Sequence, residues 1–225
     1  MTPPYGRTAP SSPSRRLLDL YAGAPTAARA HVRVRWATCP LRAVAAQVPR
    51  QGRVLELGCG HGLLSLHLAL TSPERSVVGV DVDDAKIGIA QQAAAPLANC
   101  RFEVTPPGEV PRGPWAGIVI VDVLYLLEPP AQHWLLRACL DRLGPDGVLV
   151  VKEMGPSPGW KAAWNRLQET VAVRVLRITV GEGGFHFLRP EELAAHMGST
   201  GLTVRHRPLH RGYPHPHHLL VASRT

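Results

Sequence analysis

Residues 54–66 read VLELGCGHGLLSL, and this stretch decides the fold. An apolar run typical of a buried strand ends in three glycines at alternate positions, Gly58, Gly60 and Gly62. A second apolar run, typical of a helix, follows directly. Because glycine has no side chain, such a loop brings backbone amides and the positive end of a helix close to a ligand. We therefore expect a ligand site where this strand meets its helix.

The spacing of the glycines excludes two common nucleotide-binding loops. A dinucleotide fingerprint needs a glycine three residues beyond its second one, and this chain has Leu63 there. A P-loop needs Gly-Lys followed by Ser or Thr, and no lysine lies near the loop. The loop therefore favours a ligand without a pyrophosphate.

Strand-like and helix-like segments alternate outward from this loop. Strands are predicted at 53–57, 76–80, 100–104, 117–124 and 148–151, and helices at 15–21, 26–48, 63–70, 83–95 and 130–143. Further on, helices are predicted at 159–178 and 190–197, and strands at 202–209 and 218–222. The last two strands have a short connection and must be antiparallel. The pattern predicts an α/β fold with a doubly wound, mostly parallel sheet and a C-terminal antiparallel hairpin.

Composition limits the class of protein. The 225 residues are 45% hydrophobic and 19% charged, as in an ordinary globular domain. The net charge of +8 would suit an anionic partner, but the arginines are spread along the chain, which favours a bias of composition. Four scattered cysteines without a C-x-x-C pair indicate reduced thiols and a cytoplasmic protein. Residues 1–14 lack the apolar core of a signal peptide and are predicted to be a disordered tail.

Two carboxylates are expected beside the glycine loop. Asp81 ends the second strand, about twenty residues beyond the loop, where folds of this kind hold the two hydroxyls of a ribose. Glu56 lies near the end of the first strand, where it would meet an ammonium group. A ligand with a ribose and an amino-acid end fits both carboxylates.

Five segments in this order resemble the class I S-adenosylmethionine-dependent methyltransferases, from residue 53 to the C-terminus: VLELGCGHG, VVGVDVD, GIVIVDVLYLL, LGPDGVLVVKE and the terminal hairpin. The resemblance implies a Rossmann-like, seven-stranded methyltransferase fold over residues 51–225. N-terminal helices would precede it at 15–50, and a helical insertion would lie at about 156–189. The implied cofactor is S-adenosylmethionine.

The resemblance also implies roles for particular residues. The loop of Gly58, Gly60, His61 and Gly62 would lie against the methionine part of the cofactor, with Glu56 near its amino group, Asp81 on the ribose and Val82 against adenine. Asp122 and Tyr125, after the fourth strand, would face the sulfonium.

The loop after the third strand departs from the family pattern. Many members carry an acidic residue there that holds the adenine amino group, and this chain has Pro106. Thr105 with backbone groups, or Glu109 reaching back, would take its place. We favour adenine held by packing and backbone groups.

Methyl transfer depends on positioning, and many acceptors must also lose a proton. Candidates near the expected cleft are His61, Asp122, Tyr125, His133 and Glu153. Glu153 is preferred as the carboxylate that faces the acceptor because it follows a strand at its C-terminal tip. Tyr125 would orient the acceptor or the methyl group. The histidines at 210, 215, 217 and 218 have no local carboxylate or cysteine, so no metal site is predicted.

The helix predicted at 159–178 carries an apolar stripe. Packing on the sheet explains the stripe, and it would also suit a lid over an apolar acceptor or, as a minor alternative, contact with a membrane surface. The resulting prediction is a methyltransferase for a small or lipid-like acceptor. One alternative is an RNA methyltransferase, which is disfavoured because DVLYLLEPP lacks an Asn/Asp-Pro-Pro-Tyr motif. A cofactor-binding regulator without turnover is the other.

Overall fold

The computed structural model describes residues 13–154, 186–199, 201–209, 212–213 and 216–224. Seven strands form one sheet in the order β3-β2-β1-β4-β5-β7-β6. They are β1 (Gly52–Leu57), β2 (Arg75–Asp81), β3 (Cys100–Val104), β4 (Trp115–Val121), β5 (Leu143–Met154), β6 (Thr203–Pro208) and β7 (His217–Ser223). The first five strands pair in parallel, and β7 pairs antiparallel with both β5 and β6. The predicted sheet with its C-terminal hairpin is confirmed.

Helices cover both faces of this sheet. They are α1 (Pro13–Asp19), α2 (Thr26–Thr38), α3 (Leu41–Ala45), α4 (Leu63–Thr71), α5 (Asp84–Ala94), α6 (Pro129–Arg142) and α7 (Pro190–Gly198). Buried residues of α1 to α5 form one core with one face of the strands, and those of α6 and α7 form a second core with the other face. Because β1, β2 and β4 are parallel, their carboxyl ends lie at the same edge of the sheet. One layer of helices lies on each face of this sheet.

Three elements differ from the sequence prediction. The helix predicted at 26–48 is broken into α2 and α3 at Pro40, because proline has no amide to donate to a helix. The fourth strand ends at Val121, and residues 124–126 form a 3₁₀ turn instead. The strand predicted at 148–151 is longer, Leu143–Met154 in the structure, and its pairing with β4 shifts register between Trp115 and Gly117. The helix predicted at 159–178 lies outside the described residues.

Two further findings concern the cysteines and the length of the helices. All four cysteines are buried and free. Within the described part of the chain, no helix has both the length and the apolar character needed to cross a membrane.

Candidate active site

The glycine loop joins β1 to α4, and its three glycines have positive φ angles of 70°, 54° and 77°. A Cβ on Gly58 would lie 2.4 Å from Val123 Cγ2, and one on Gly62 would lie 2.4 Å from Phe102 Cζ. A Cβ on Gly60 would have Lys86 Cδ, at 4.0 Å, as its only close neighbour among the described residues. Gly58 and Gly62 are therefore required by packing within the protein, whereas the space beside Gly60 is open.

Asp81, at the tip of β2, holds the glycine loop in place. Its Oδ2 accepts a hydrogen bond from the Gly60 amide at 2.7 Å, and its Oδ1 accepts one from the Asp83 amide at 3.0 Å. The Thr105 amide donates to the Asp81 carbonyl at 3.0 Å, and Val82 is half-buried beside it. The residues predicted to hold ribose and adenine therefore lie together at the ends of β2 and β3.

Glu56 is buried beneath the first turn of α4, with 4% of its surface exposed. Its Oε2 accepts hydrogen bonds from the Ser65 amide at 2.9 Å and from the Ser65 hydroxyl. Burial raises the pKa of Glu56 to about 7, although the bonds from Ser65 act in the opposite direction. The carboxyl group is therefore divided between its charged and neutral forms near neutral pH.

The N-terminal helices cover the glycine loop. The Tyr21 hydroxyl donates to the His61 carbonyl at 2.7 Å, and the rings of His31 and His61 lie 5.0 Å apart. Burial, followed by the nearby His61, lowers the pKa of His31 to about 4, and burial lowers the pKa of His61 as well. Residues before the methyltransferase-like segment thus contribute directly to the candidate site.

Asp122 follows β4 with a φ of 58°, a left-handed conformation that Asp tolerates better than most residues. Its Oδ1 accepts from Lys152 Nζ at 2.6 Å and its Oδ2 from Arg35 Nη2 at 3.0 Å. Burial by itself raises the pKa of Asp122, but the charges of Lys152 and Arg35 outweigh burial and hold it below its usual value. Asp122 is therefore an ionised carboxylate with two cationic partners.

Sequence reasoning missed both of these cations. Lys152 is a charged residue at the end of the buried run LVVKE, and its side chain is fully buried. Since lysine is rare in such a position without a partner, the sequence did contain a signal for it. Arg35 is one of several arginines on α2, and nothing in the sequence distinguishes it from Arg33.

Glu153, the next residue along β5, lies on the other face of the sheet. Its Oε1 accepts from the amides of Val123 and Leu124 at 3.1 Å and 3.0 Å. Burial, and then the charge of Asp122, raise the pKa of Glu153 to about 8 against the effect of these amides. Tyr125 is buried beside it, and its ring stacks on Phe187 at 5.2 Å.

The remaining candidates are placed differently. His133 stacks on His196 of α7 with ring centroids 3.3 Å apart, and Glu109 is exposed. His206 and His218 lie 3.0 Å apart between ring nitrogens, and the histidines at 210 and 215 are outside the described residues. Among the residues that the structure describes, no three His, Cys, Asp or Glu side chains are grouped to hold a metal ion.

Comparison with known proteins identifies the family. A family model described as a methyltransferase domain matches residues 28–207. The chain is 30% identical over 117 residues to a trans-aconitate 2-methyltransferase from Deinococcus radiodurans. The aligned segment is 51% of this chain and 43% of that protein. The chain aligns with less than half the length of the curated relatives that it matches.

Solved structures show the same fold. Magnesium protoporphyrin IX methyltransferase from Synechocystis PCC 6803, with bound S-adenosylhomocysteine, superposes with a TM-score of 0.64 at 18% identity and covers 96% of this chain and 95% of its own. An O-methyltransferase family protein from Burkholderia thailandensis superposes with a TM-score of 0.62 at 16% identity, covering 86% and 57%. With its sheet order, its glycine loop and the family match over residues 28–207, the chain belongs to the methyltransferase-domain family, as a class I S-adenosylmethionine-dependent methyltransferase domain.

Proposed function

We propose that this chain transfers a methyl group from S-adenosylmethionine to a small or lipid-like acceptor. The observation that carries the proposal is the open space beside Gly60, in a loop that Asp81 anchors and that Glu56 precedes by a few residues. When bound, S-adenosylmethionine supplies an electrophilic methyl group on a positively charged sulfur. The protein must hold it, exclude water and bring an acceptor in line with it.

The polar groups at the loop fit those of this cofactor. Asp81 Oδ2 has a second lone pair with which to accept from a ribose hydroxyl while it keeps the Gly60 amide. Glu56, with its pKa of about 7, would meet the amino group. The Arg35 side chain is 35% exposed, and its guanidinium has donors beyond the one on Asp122, so it would take the carboxylate of the cofactor.

For the rest of the cofactor we propose the contacts that were expected from the sequence. His61 would pack against the methionine part, Val82 against adenine, and Thr105 would act with backbone groups at the adenine edge. All three lie in the segments that follow β1, β2 and β3, next to the Asp81 hydrogen bonds. The match between these segments and the cofactor's parts supports this assignment.

Asp122 would act by positioning. Arg35 and Lys152 already compensate its charge, and it connects α2 to the ends of β4 and β5. We propose that it sets the left-handed turn after β4 and orients Arg35 towards the cofactor.

Glu153 and Tyr125 would face the acceptor. Glu153 has a pKa of about 8, which suits a group that exchanges a proton near neutral pH. Burial, and then the charges of Asp122 and Glu153, raise the pKa of Tyr125 well above its usual value, so its phenol stays neutral and can only orient the acceptor.

The named relatives support a small acceptor. One is named for trans-aconitate and another for magnesium protoporphyrin IX, and both of these compounds are small molecules in contrast to RNA or protein. Because they differ so much, they support the general class of acceptor and do not select one compound.

The test is incubation with methyl-labelled S-adenosylmethionine and a cell extract that is then separated into lipid, RNA, protein and small-molecule fractions. We expect label in the small-molecule or lipid fraction and binding of S-adenosylhomocysteine by calorimetry. Label in RNA would support the alternative acceptor. Binding without label in any fraction would indicate a regulator without turnover, and the absence of binding would contradict the proposal.

A further inference from the structure

A small pocket lies between β5, α6 and the segment that precedes α7. Glu153, Gln132, Tyr125, Met154 and Phe187 line it, together with leucine side chains. Its volume of about 10 Å³ is that needed by about one water molecule, or by one amine or hydroxyl group. The pocket therefore has both polar and apolar lining residues and is sized for a single polar group.

One of the two carboxyl oxygens of Glu153 is buried and accepts no hydrogen bond from a described residue. The residue is 8% exposed, and its Oε1 accepts from two backbone amides. Its Oε2 is buried and makes no hydrogen bond within the described part of the chain. Since a buried polar atom without a partner is costly, folding alone does not account for this second oxygen.

Gln132 contributes a second oxygen of the same kind. Its Nε2 donates to the carbonyls of Leu127 and His186, each at 2.8 Å. Because both partners are carbonyls, the orientation of the amide is determined and its Oε1 cannot exchange places with Nε2. Gln132 is 1% exposed, and its Oε1 makes no hydrogen bond to any described residue.

The pocket is next to the cofactor loop. Val123 donates its backbone amide to Glu153 Oε1, and its side chain fills the space where Gly58 would carry a Cβ. A single residue therefore separates the glycine loop from the Glu153 carboxyl group.

We propose that this pocket binds the amine or hydroxyl group of the methyl acceptor, with its hydrogens directed at Glu153 Oε2 and Gln132 Oε1. The proposal rests on the proposed methyl transfer and narrows its acceptor to a compound with an N–H or O–H group on an apolar or aromatic body. Gln132 Oε1 is an acceptor, and Glu153 Oε2 is one whenever the carboxyl is ionised, so an amine or hydroxyl should bind more tightly than a carboxylate. The stacked rings of Tyr125 and Phe187 provide the apolar wall.

The electrostatics agree with this geometry. Asp122 and Lys152 are the charges nearest Glu153, and burial with Asp122 raises its pKa to about 8. At neutral pH the carboxyl therefore takes up or releases a proton readily. A cationic amine would favour its charged form, and a hydroxyl would pair with either form.

The probe experiment uses the methionines as reporters. The chain has three methionines. Met154 lines the pocket, and Met197 is a buried residue of α7. The full-length protein, labelled with ¹³C in its methionine methyl groups and saturated with S-adenosylhomocysteine, is titrated with benzylamine, benzyl alcohol and benzoate. We expect benzylamine and benzyl alcohol to shift the Met154 signal at concentrations at least tenfold lower than benzoate does, while Met197 changes little.

Two variants test the residues. Glu153→Gln keeps an oxygen for the Val123 and Leu124 amides but presents an NH₂ group to the pocket, so benzylamine should bind at least tenfold more weakly. Glu103→Gln, in an exposed pair with Arg101 on β3, is the matched control and should bind as the native protein does. Calorimetry with S-adenosylhomocysteine should give equal affinities for all three proteins.

Each outcome decides the matter. If benzoate binds as well as benzylamine, if Glu153→Gln changes nothing, or if no probe moves the Met154 signal, the two oxygens serve water or structure alone and the proposal is wrong. If the native protein does not bind S-adenosylhomocysteine, the failure lies in the proposed function instead.

Discussion

Lys152 and Glu153 are neighbours on β5, yet their side chains lie on opposite faces of the sheet in very different surroundings. On the face covered by the N-terminal helices, the Asp122 carboxylate has two cationic partners, Lys152 and Arg35. On the other face, Glu153 and Gln132 each have a buried oxygen that accepts no hydrogen bond from any described residue. The Asp122 carboxylate is therefore satisfied within the chain, whereas the oxygens of Glu153 and Gln132 are the ones to which we assign a ligand.

The glycine loop shows the same contrast over a shorter distance. Gly58 and Gly62 are pressed against Val123 and Phe102, while Gly60 borders open space. Equal spacing in the sequence thus hides two different requirements, one of packing and one of access.

The largest expected effect is at the Asp122 carboxylate and its two cationic partners. Lys152→Met removes one cationic partner from the buried Asp122 carboxylate and should lower the free energy of unfolding by about 3–5 kcal/mol, measured by urea denaturation. Lys86→Met is the control, because Lys86 and Asp83 form a partly exposed pair that should contribute less than about 1 kcal/mol. Similar losses in the two variants would mean that the buried Asp122 carboxylate and its partners have no special structural role.

The next effect separates the glycines. Gly62→Ala places a Cβ against Phe102 in a left-handed conformation and should cost about 2–4 kcal/mol of stability, from overpacking and backbone strain together. Gly60→Ala introduces only the backbone strain of the left-handed conformation, without overpacking, and should cost about 1–2 kcal/mol of stability. Thermal and urea unfolding measure both.

Gly60→Val then tests access directly. It should abolish binding of S-adenosylhomocysteine in calorimetry while the domain stays folded, because its branched side chain would occupy the open space. Unchanged affinity would contradict the assignment of this loop to the cofactor.

A smaller effect concerns the ribose contact. Asp81→Ala should weaken cofactor binding at least tenfold, since hydrogen bonds to a charged group contribute about 1.5–3 kcal/mol. Asp84→Ala, in the first turn of α5, should leave affinity unchanged and lose about 0.3–1 kcal/mol of stability.

Because Asp81 also holds the Gly60 amide, a 2′-deoxyribose analogue is needed to isolate the contact. The analogue should bind poorly to the native protein, and Asp81→Ala should discriminate against it much less. An equal penalty in both proteins would show that the carboxylate does not hold that hydroxyl.

The smallest expected effect is the acid sensitivity of the helices over the loop. Burial keeps His31 neutral in the folded protein down to a pKa of about 4, whereas the unfolded chain takes up a proton near pH 6.5. Stability from this residue is therefore present above pH 6.5 and lost as the pH falls towards 4. The nearby His61, Arg35 and Lys86 also lower the pKa of His31. Asp81 and Asp83 lie near His61 and act in the opposite direction on the pKa of that residue.

The variant His31→Asn cannot take up that proton. Compared with the native protein by urea denaturation, it should be relatively more stable at pH 5 than at pH 7.5. A stability difference that does not change with pH would contradict the role given to His31.

The sequence by itself determined the sheet, the position of the glycine loop and the family, because these depend on local patterns: apolar runs, glycines and the acidic tip at Asp81. It also named Glu56, Asp122 and Glu153, since each ends or follows a recognisable strand. It did not reveal the break at Pro40 between α2 and α3, where an apparently continuous helical pattern outweighed a single proline.

Only the tertiary structure decided how these residues are partnered. Arg35 reaches Asp122 across 87 positions of the chain, Tyr21 reaches the loop across 40, and Gln132 of α6 lines the same pocket as Glu153 of β5. Long-range pairs of this kind leave no periodic trace in a sequence, because they arise from the packing of whole helices and strands. For the same reason, the satisfied Asp122 and the unsatisfied Glu153, both read from the sequence as acidic groups near strand ends, became distinguishable only when their neighbours were known.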